Sequence, residues 1–409
     1  MKKSHVKGTS VFIMGVLVIA LIIFTEWTWN QSNASPIIVP QAAVSSTAEV
    51  SSDSGSGGVV SVSITTDTIT SISPNSPQPT ITIGHAIGIA GGGGLSKLSS
   101  STLDQELNQM VALGATWVRF DIEWGDVQYS SPTSSTWGSY DMLVNALVAH
   151  HLHGLGVITY TPQWARSPNC YNGVECPPAN PSTFATFAAE VAARYKNDGM
   201  HYWEIWNEPN NYAFWAPKTN CDAYTALLKA TYPAIKQADP NSIVITGGLS
   251  PASTDGNNIS PTDFLGCVYA AGGEGYFDAV GDHPYTFPLF PSNDGTGAWN
   301  QMLVTDPSLR SIMVANGDVN KKIWLTEFGA PTDGPDPAWY VSEASQSQMV
   351  TDVVQTYESY PWAGPLFWYT FKDGGTATST NENFFGLVRA DGSTKPAYQT
   401  LQSLISAGL

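Results

Sequence analysis

Trp117-Val118-Arg119-Phe120-Asp121 is a short β-branched and aromatic run between two helical patterns, Leu103 to Leu113 and Tyr140 to His150. The chain repeats this unit of apolar strand, Gly/Pro/Asn-rich loop and helical stretch. Further strand candidates are His85-Ala86-Ile87-Gly88-Ile89, Gly156-Val157-Ile158-Thr159-Tyr160, Tyr202 to Asn207 and Ile243 to Thr246. Ala279 to His283, Lys322 to Glu327 and Leu366 to Thr370 complete the set. Helical patterns run over Phe184 to Lys196, Ala223 to Ala238 and Glu343 to Tyr357. Strands alternating with helices in this way predict an α/β fold, a (β/α)8 TIM barrel. A doubly wound sheet is the competing architecture. It calls for a spaced glycine fingerprint, whereas Gly91-Gly92-Gly93-Gly94 is unspaced and reads as a flexible loop.

The 409 residues carry 34 acids against 17 Lys and Arg, a formal net charge of −17, and only 12% are charged. Nucleic-acid binding needs clustered cations to neutralise phosphates and is excluded as a partner class. Lys2, Lys3 and Lys7 precede an apolar run from Val11 to Phe24, and Glu26, Trp27 and Trp29 follow. A basic start and a short apolar run predict export. Two readings stand for residues 1–34, a cleaved signal peptide or an N-terminal membrane anchor. Residues 35–80 read as a flexible Ser/Thr/Gly/Pro-rich linker, with a weak strand pattern from Val59 to Ile72. Residues 81–409 then hold the barrel. The expected location is extracellular, either secreted or tethered to the outer face of the cytoplasmic membrane, with a monomeric chain.

Cys170, Cys176, Cys221 and Cys267 are an even set in an exported chain, which predicts two disulfides. The simplest pairing joins Cys170 to Cys176 within one loop and leaves Cys221 for Cys267. Zinc is the competing use, but paired Cys-x-x-Cys knuckles are missing from the sequence. The sequence calls for no metal and no cofactor.

A barrel builds its active site from the loops that follow the strands. The ionisable and aromatic residues at the strand ends are few. They are Arg119, Asp121 and Glu123, then Tyr160 and Trp164, then Asn207 and Glu208. His283 and Tyr285, Glu327, and Trp368 with Tyr369 follow. Carboxylic acids closing the fourth and seventh strands face each other across the barrel mouth. That placement lets one acid protonate a leaving oxygen while the other attacks or activates water.

Trp203-Glu204-Ile205-Trp206-Asn207-Glu208-Pro209-Asn210 resembles the acid/base motif of the large clan of retaining (β/α)8 glycosidases. Ile323-Trp324-Leu325-Thr326-Glu327-Phe328-Gly329 resembles its nucleophile motif. Tyr160 to Ala165, Gly247 to Pro251, His283-Pro284-Tyr285, Gly386-Leu387-Val388 and Lys395 to Tyr398 are similar to further segments, in order. Together they resemble glycoside hydrolase family 39 and its bacterial polysaccharide-cleaving relatives most, and family 5 cellulases next. The resemblance implies an exported retaining β-glycosidase acting on polysaccharide or oligosaccharide, of β-xylosidase or endo-glycanase type. It implies that Glu208 is the acid/base and Glu327 the nucleophile. It also implies that Asn207 binds the sugar 2-hydroxyl, His283 and Tyr285 line the reacting subsite, and Arg119 orients Glu327. Trp368 would then be a stacking floor, and Trp164 a further substrate contact.

Each residue also has a plainer reading. Arg119 could bridge Asp121 or Glu123, and His283 could be a core histidine. Glu204 could hydrogen-bond lower in the barrel, outside the site. Trp124, Trp164 and Trp215 could anchor loops or stack on sugar, and Asp373 could be a turn residue or a substrate contact. A barrel that lost catalysis and only binds cell-wall glycan is the alternative function, and a metal-dependent hydrolase is the third. The low charge predicts tolerance of mildly acidic surroundings, because few ion pairs are lost when carboxylates protonate.

Overall fold

The computed structural model describes residues 86–170, 173–294 and 297–408. The expected leader at 1–34 and linker at 35–80 lie outside the described residues. Among the described residues eight parallel strands close into a barrel in chain order. They are β1 (Ile87–Gly92), β2 (Trp117–Glu123), β3 (His153–Thr159), β4 (Tyr202–Ile205), β5 (Ile243–Thr246), β6 (Ala279–Asp282), β7 (Lys322–Phe328) and β8 (Ala363–Tyr369). β8 pairs back onto β1. The helices are α1 (Ser100–Leu113), α2 (Trp124–Val127), α3 (Gly138–Ala149), α4 (Pro181–Tyr195) and α5 (Cys221–Ala238). They continue as α6 (Pro261–Ala270), α7 (Ala298–Leu303), α8 (Leu309–Ala315), α9 (Glu343–Glu358) and α10 (Pro396–Ser406). The barrel expectation holds, and the doubly wound alternative falls with the closure.

Strand alternation creates two apolar layers. On β2, Val118 and Phe120 join the large core that also takes in Leu107 of α1 and Leu143 of α3, while Trp117 faces the barrel interior. There Trp117 meets Tyr202, Trp324 and Phe367 edge-on, with centroids 4.6, 5.7 and 6.3 Å away. These rings fill the barrel floor, so the open end lies at the strand C-termini. Gly88 makes room for them, since a Cβ there would sit 2.5 Å from the Phe367 ring.

Five of the helices start on neutral caps whose acceptor reaches three residues on. Ser99, Asn220, Ser260, Ser308 and Ser342 each accept a hydrogen bond from the backbone N–H three residues on. Hydroxyl and amide groups therefore carry work that carboxylates do elsewhere, which gives part of the low charge count a structural meaning.

The first strand differs from expectation. It runs on to Gly92 and takes in half of the glycine run read as a loop. Gly92 pairs with Phe120 after a register irregularity and adopts φ +54°, a conformation glycine takes without penalty. The third strand begins at His153, earlier than the apolar pattern. Both expected disulfides form. Cys170–Cys176 staples the loop after β3, and Cys221–Cys267 ties the start of α5 to α6.

Candidate active site

Arg119, Asp121 and Glu123 share the interior face of β2 with Trp117, so the strand that starts in the apolar floor ends in charge at the mouth. Arg119 is 1% exposed. Its Nε and Nη2 donate to the two carboxylate oxygens of Glu204 at 2.7 and 3.1 Å. Its Nη1 donates to Oε1 of Glu327 at 2.6 Å, and Nη2 also reaches Oδ1 of Asn207 at 2.8 Å. The guanidinium fork thus fixes three strand-end groups at once. It does not bridge Asp121 or Glu123.

Glu327 closes β7 and is held from both sides, because Oε2 accepts the Tyr285 hydroxyl at 2.7 Å. Burial works to raise its pKa. The His283 and Arg119 charges and the Tyr285 and Arg119 hydrogen bonds outweigh burial and hold the carboxyl below its ordinary range. His283 stands between the two glutamates, with Nδ1 3.1 Å from Oε1 of Glu208 and 3.7 Å from Oε2 of Glu327. Burial disfavours the imidazolium, but Glu327 and Glu208 reverse this and raise its pKa. Its Nε2 meets Thr326 Oγ1 at 3.0 Å.

Glu208 is 8% exposed and also accepts from Asn211 Nδ2 at 3.1 Å. Trp206 and Glu208 adopt φ +71° and +45°, in the left-handed region that costs a non-glycine residue about 1–3 kcal/mol. The surroundings hold this turn in place. Trp206 N–H donates to Ile158 O at 3.0 Å and Glu208 N–H to Gly248 O at 3.1 Å. Gly248 must be glycine, since a Cβ would lie 2.0 Å from His283 Nε2. One carboxylate oxygen of Glu208, one of Glu327 and a His283 nitrogen all lie within 4.8 Å of one another.

The geometry corrects one expected site residue. Trp368 is 1% exposed, lies in the layer between strands and helices, and donates its indole N–H to Phe385 O at 3.3 Å. It cannot serve as an open stacking floor. Tyr369, on the opposite face of β8, borders the site instead, edge-on to Tyr285 at 6.4 Å. Strand parity with Phe367 is the signal that distinguishes the two. Trp164 is half-buried, edge-on to Trp124 and bonded through its indole to Gln128 O at 2.8 Å. Trp124 and Trp215 are buried loop anchors. Asp373 is an anchor too, paired with buried Lys395 at 2.8 Å.

Glu204 belongs to the site's framework, against the expectation that it lies outside it. It is fully buried and takes two donors from Arg119, the Gly248 N–H at 2.7 Å and the Thr326 hydroxyl at 3.2 Å. A carboxylate on the same face of β4 as Tyr202, across from the arginine of β2, was the available clue.

Two carboxylic acids face each other over a shared histidine, one held ionised by an arginine and a tyrosine. A family model described as cellulase (glycosyl hydrolase family 5) matches residues 92–368. The chain belongs to glycosyl hydrolase family 5. The chain is also similar to endoglucanase E-5 of Thermobifida fusca, 27% identical over 125 residues, 27% of this chain and 25% of that protein. The chain thus spans about a quarter of that relative's length. Among solved structures, a family 39 glycoside hydrolase from Bacteroides cellulosilyticus WH2 superposes with TM-score 0.61 at 23% identity, covering 78% of this chain and 63% of that one. A family 39 β-xylosidase from Caulobacter crescentus gives 0.59 at 19% identity over 79% and 71%. A family 5 enzyme from Streptomyces cattleya gives 0.59 at 14% identity over 80% of each chain. The family 5 barrel therefore shares its fold with these family 39 structures.

Proposed function

We propose that the protein is an exported retaining β-glycosidase that cleaves polysaccharide or oligosaccharide by double displacement. The observation that carries this is the approach of Glu208 and Glu327 oxygens to within 4.8 Å. A retaining pair stands roughly 5–5.5 Å apart, whereas inverting pairs leave about 6.5–9.5 Å for a water. Glu327, kept anionic by Arg119 and Tyr285, attacks the anomeric carbon. Glu208 gives its proton to the departing glycosidic oxygen. In the second step Glu208 takes a proton from water, which opens the glycosyl–Glu327 ester. His283, between the two, carries positive charge toward whichever glutamate is anionic. Asn207, fixed by Arg119, presents its amide to the sugar 2-hydroxyl. The family model and the β-xylosidase-like fold support a β-linked glucan or xylan. The basic, apolar N-terminus and the two disulfides support export.

Glu208→Gln and Glu327→Gln test the assignment on an aryl β-glycoside. Each is expected to lose turnover by at least about a thousandfold while thermal unfolding stays cooperative. Full activity in either variant overturns it.

A further inference from the structure

The loop that follows β8 returns over the barrel mouth before α10, and its base is fixed. Lys395 Nζ, 1% exposed, donates to Asp373 Oδ1 at 2.8 Å, Thr332 Oγ1 at 2.9 Å and Phe384 O at 2.9 Å. Asp373 also accepts the Gly386 N–H at 2.8 Å. From this base the loop brings a third carboxylic acid, Glu382, to the pocket. The Tyr369 hydroxyl donates to its Oε2 at 3.1 Å, and its own N–H donates to Thr380 Oγ1 at 3.2 Å. The residue keeps some solvent exposure, while its carboxylate lies against Tyr369. Tyr369 in turn stands edge-on to Tyr285, which holds Glu327. Desolvation, and then the charges of Glu327 and Glu208, push the Glu382 carboxyl up to about 6 against the opposing Tyr369 hydrogen bond.

Among the described residues, the Arg and Lys side chains that contact the mouth's carboxylates are already engaged. Arg119 is buried and committed to Glu204, Glu327 and Asn207, and Lys97 pairs with Glu123 at 3.2 Å. The pocket thus offers acceptors and negative charge to a bound sugar. We propose that Glu382 is a specificity-determining residue of the glycosidase site, accepting hydrogen bonds from sugar hydroxyls and excluding sugars that carry a carboxylate. This rests on the reading that Glu208 and Glu327 flank the scissile bond. A neutral pyranoside donates hydroxyls to Glu382, whereas a uronic acid meets a like charge and no available guanidinium.

The test uses the full chain, Glu382→Gln and Glu382→Lys. The substrates are a panel of 4-nitrophenyl neutral β-glycosides and the matching β-glucuronide. The wild type is expected to prefer its best neutral glycoside over the glucuronide by about a hundredfold or more in kcat/KM. Glu382→Gln narrows that ratio by about tenfold, the worth of one lost charge contact, chiefly through KM, and Glu382→Lys narrows it further. Both variants keep the wild-type unfolding temperature. An unchanged ratio in both variants, beside an active wild type, overturns this inference alone. A wild type without turnover on the whole panel overturns the glycosidase reading and this inference with it.

Discussion

Arg119 joins two carboxylates, reaching Glu327 Oε1 at 2.6 Å through Nη1 and Glu204 Oε2 at 2.7 Å through Nε. Glu204 is fully buried and Arg119 nearly so, while Glu327 lies at the edge of the pocket. Glu204 therefore acts at one remove, by fixing the fork that fixes the nucleophile. Glu204→Gln keeps the shape but removes the charge that balances the arginine. Breaking a buried pair costs about 3–5 kcal/mol, so a clear fall in unfolding temperature is expected. In the folded fraction kcat should drop about tenfold or more with KM nearly unchanged, and the acid limb of the pH profile should move. Thermal unfolding and steady-state kinetics read both effects.

Folding stability should peak in mildly acidic solution. Burial pushes Asp121 from 3.8 up to about 7 and Asp282 from 3.8 up to about 8. A carboxyl raised in the folded state binds its proton more tightly there than in the unfolded chain. Stability from these groups is therefore greatest at low pH and declines as pH rises through 4 to 8. His283, raised above 6.5, works in the same direction. Glu327 is depressed, so its contribution is present above 4.5 and lost as pH falls through its folded value. The opposing trends predict a maximum near pH 5. Asp282→Asn should flatten the slope between pH 5 and pH 8 in a series of unfolding temperatures. A steady rise in stability from pH 5 to pH 8 would count against the account.

The second disulfide closes a sequence separation of 46 residues. The chain-entropy model assigns such a loop about 4 kcal/mol. The paired change Cys221→Ser with Cys267→Ser should lower the unfolding temperature by several degrees, as calorimetry would show. Neither cysteine touches the glutamates, so activity well below the new transition should remain.

Lys395 and Asp373 form a buried pair that fixes the loop after β8. Lys395→Met leaves the carboxylate unpaired and should cost about 3–5 kcal/mol. Replacing both partners by apolar residues of similar size should recover much of that loss, a double-mutant cycle that denaturant unfolding can complete.

Much of this was legible in the sequence. Strand and helix alternation gave the barrel, and Glu208, Glu327, Asn207, Arg119, His283 and Tyr285 do converge at its mouth. What escaped was set by direction and by long-range partners. Trp368 and Tyr369 are adjacent, and only the alternation of side chains decides which one meets the pocket. Glu204 and Arg119 are 85 residues apart, so their bidentate contact exists only once β2 and β4 share a barrel. Asp373 reads as a turn residue until Lys395 is folded beneath it. Glu382 lies in a loop without periodicity, and its approach to the site depends on that buried anchor.

Double displacement by Glu208 and Glu327 fixes which anomer is released. Proton NMR of the first-formed product from a reducing-end-blocked β-glycoside tests it most directly, before mutarotation mixes the anomers. The β-anomer should appear first. Initial release of the α-anomer would contradict the account.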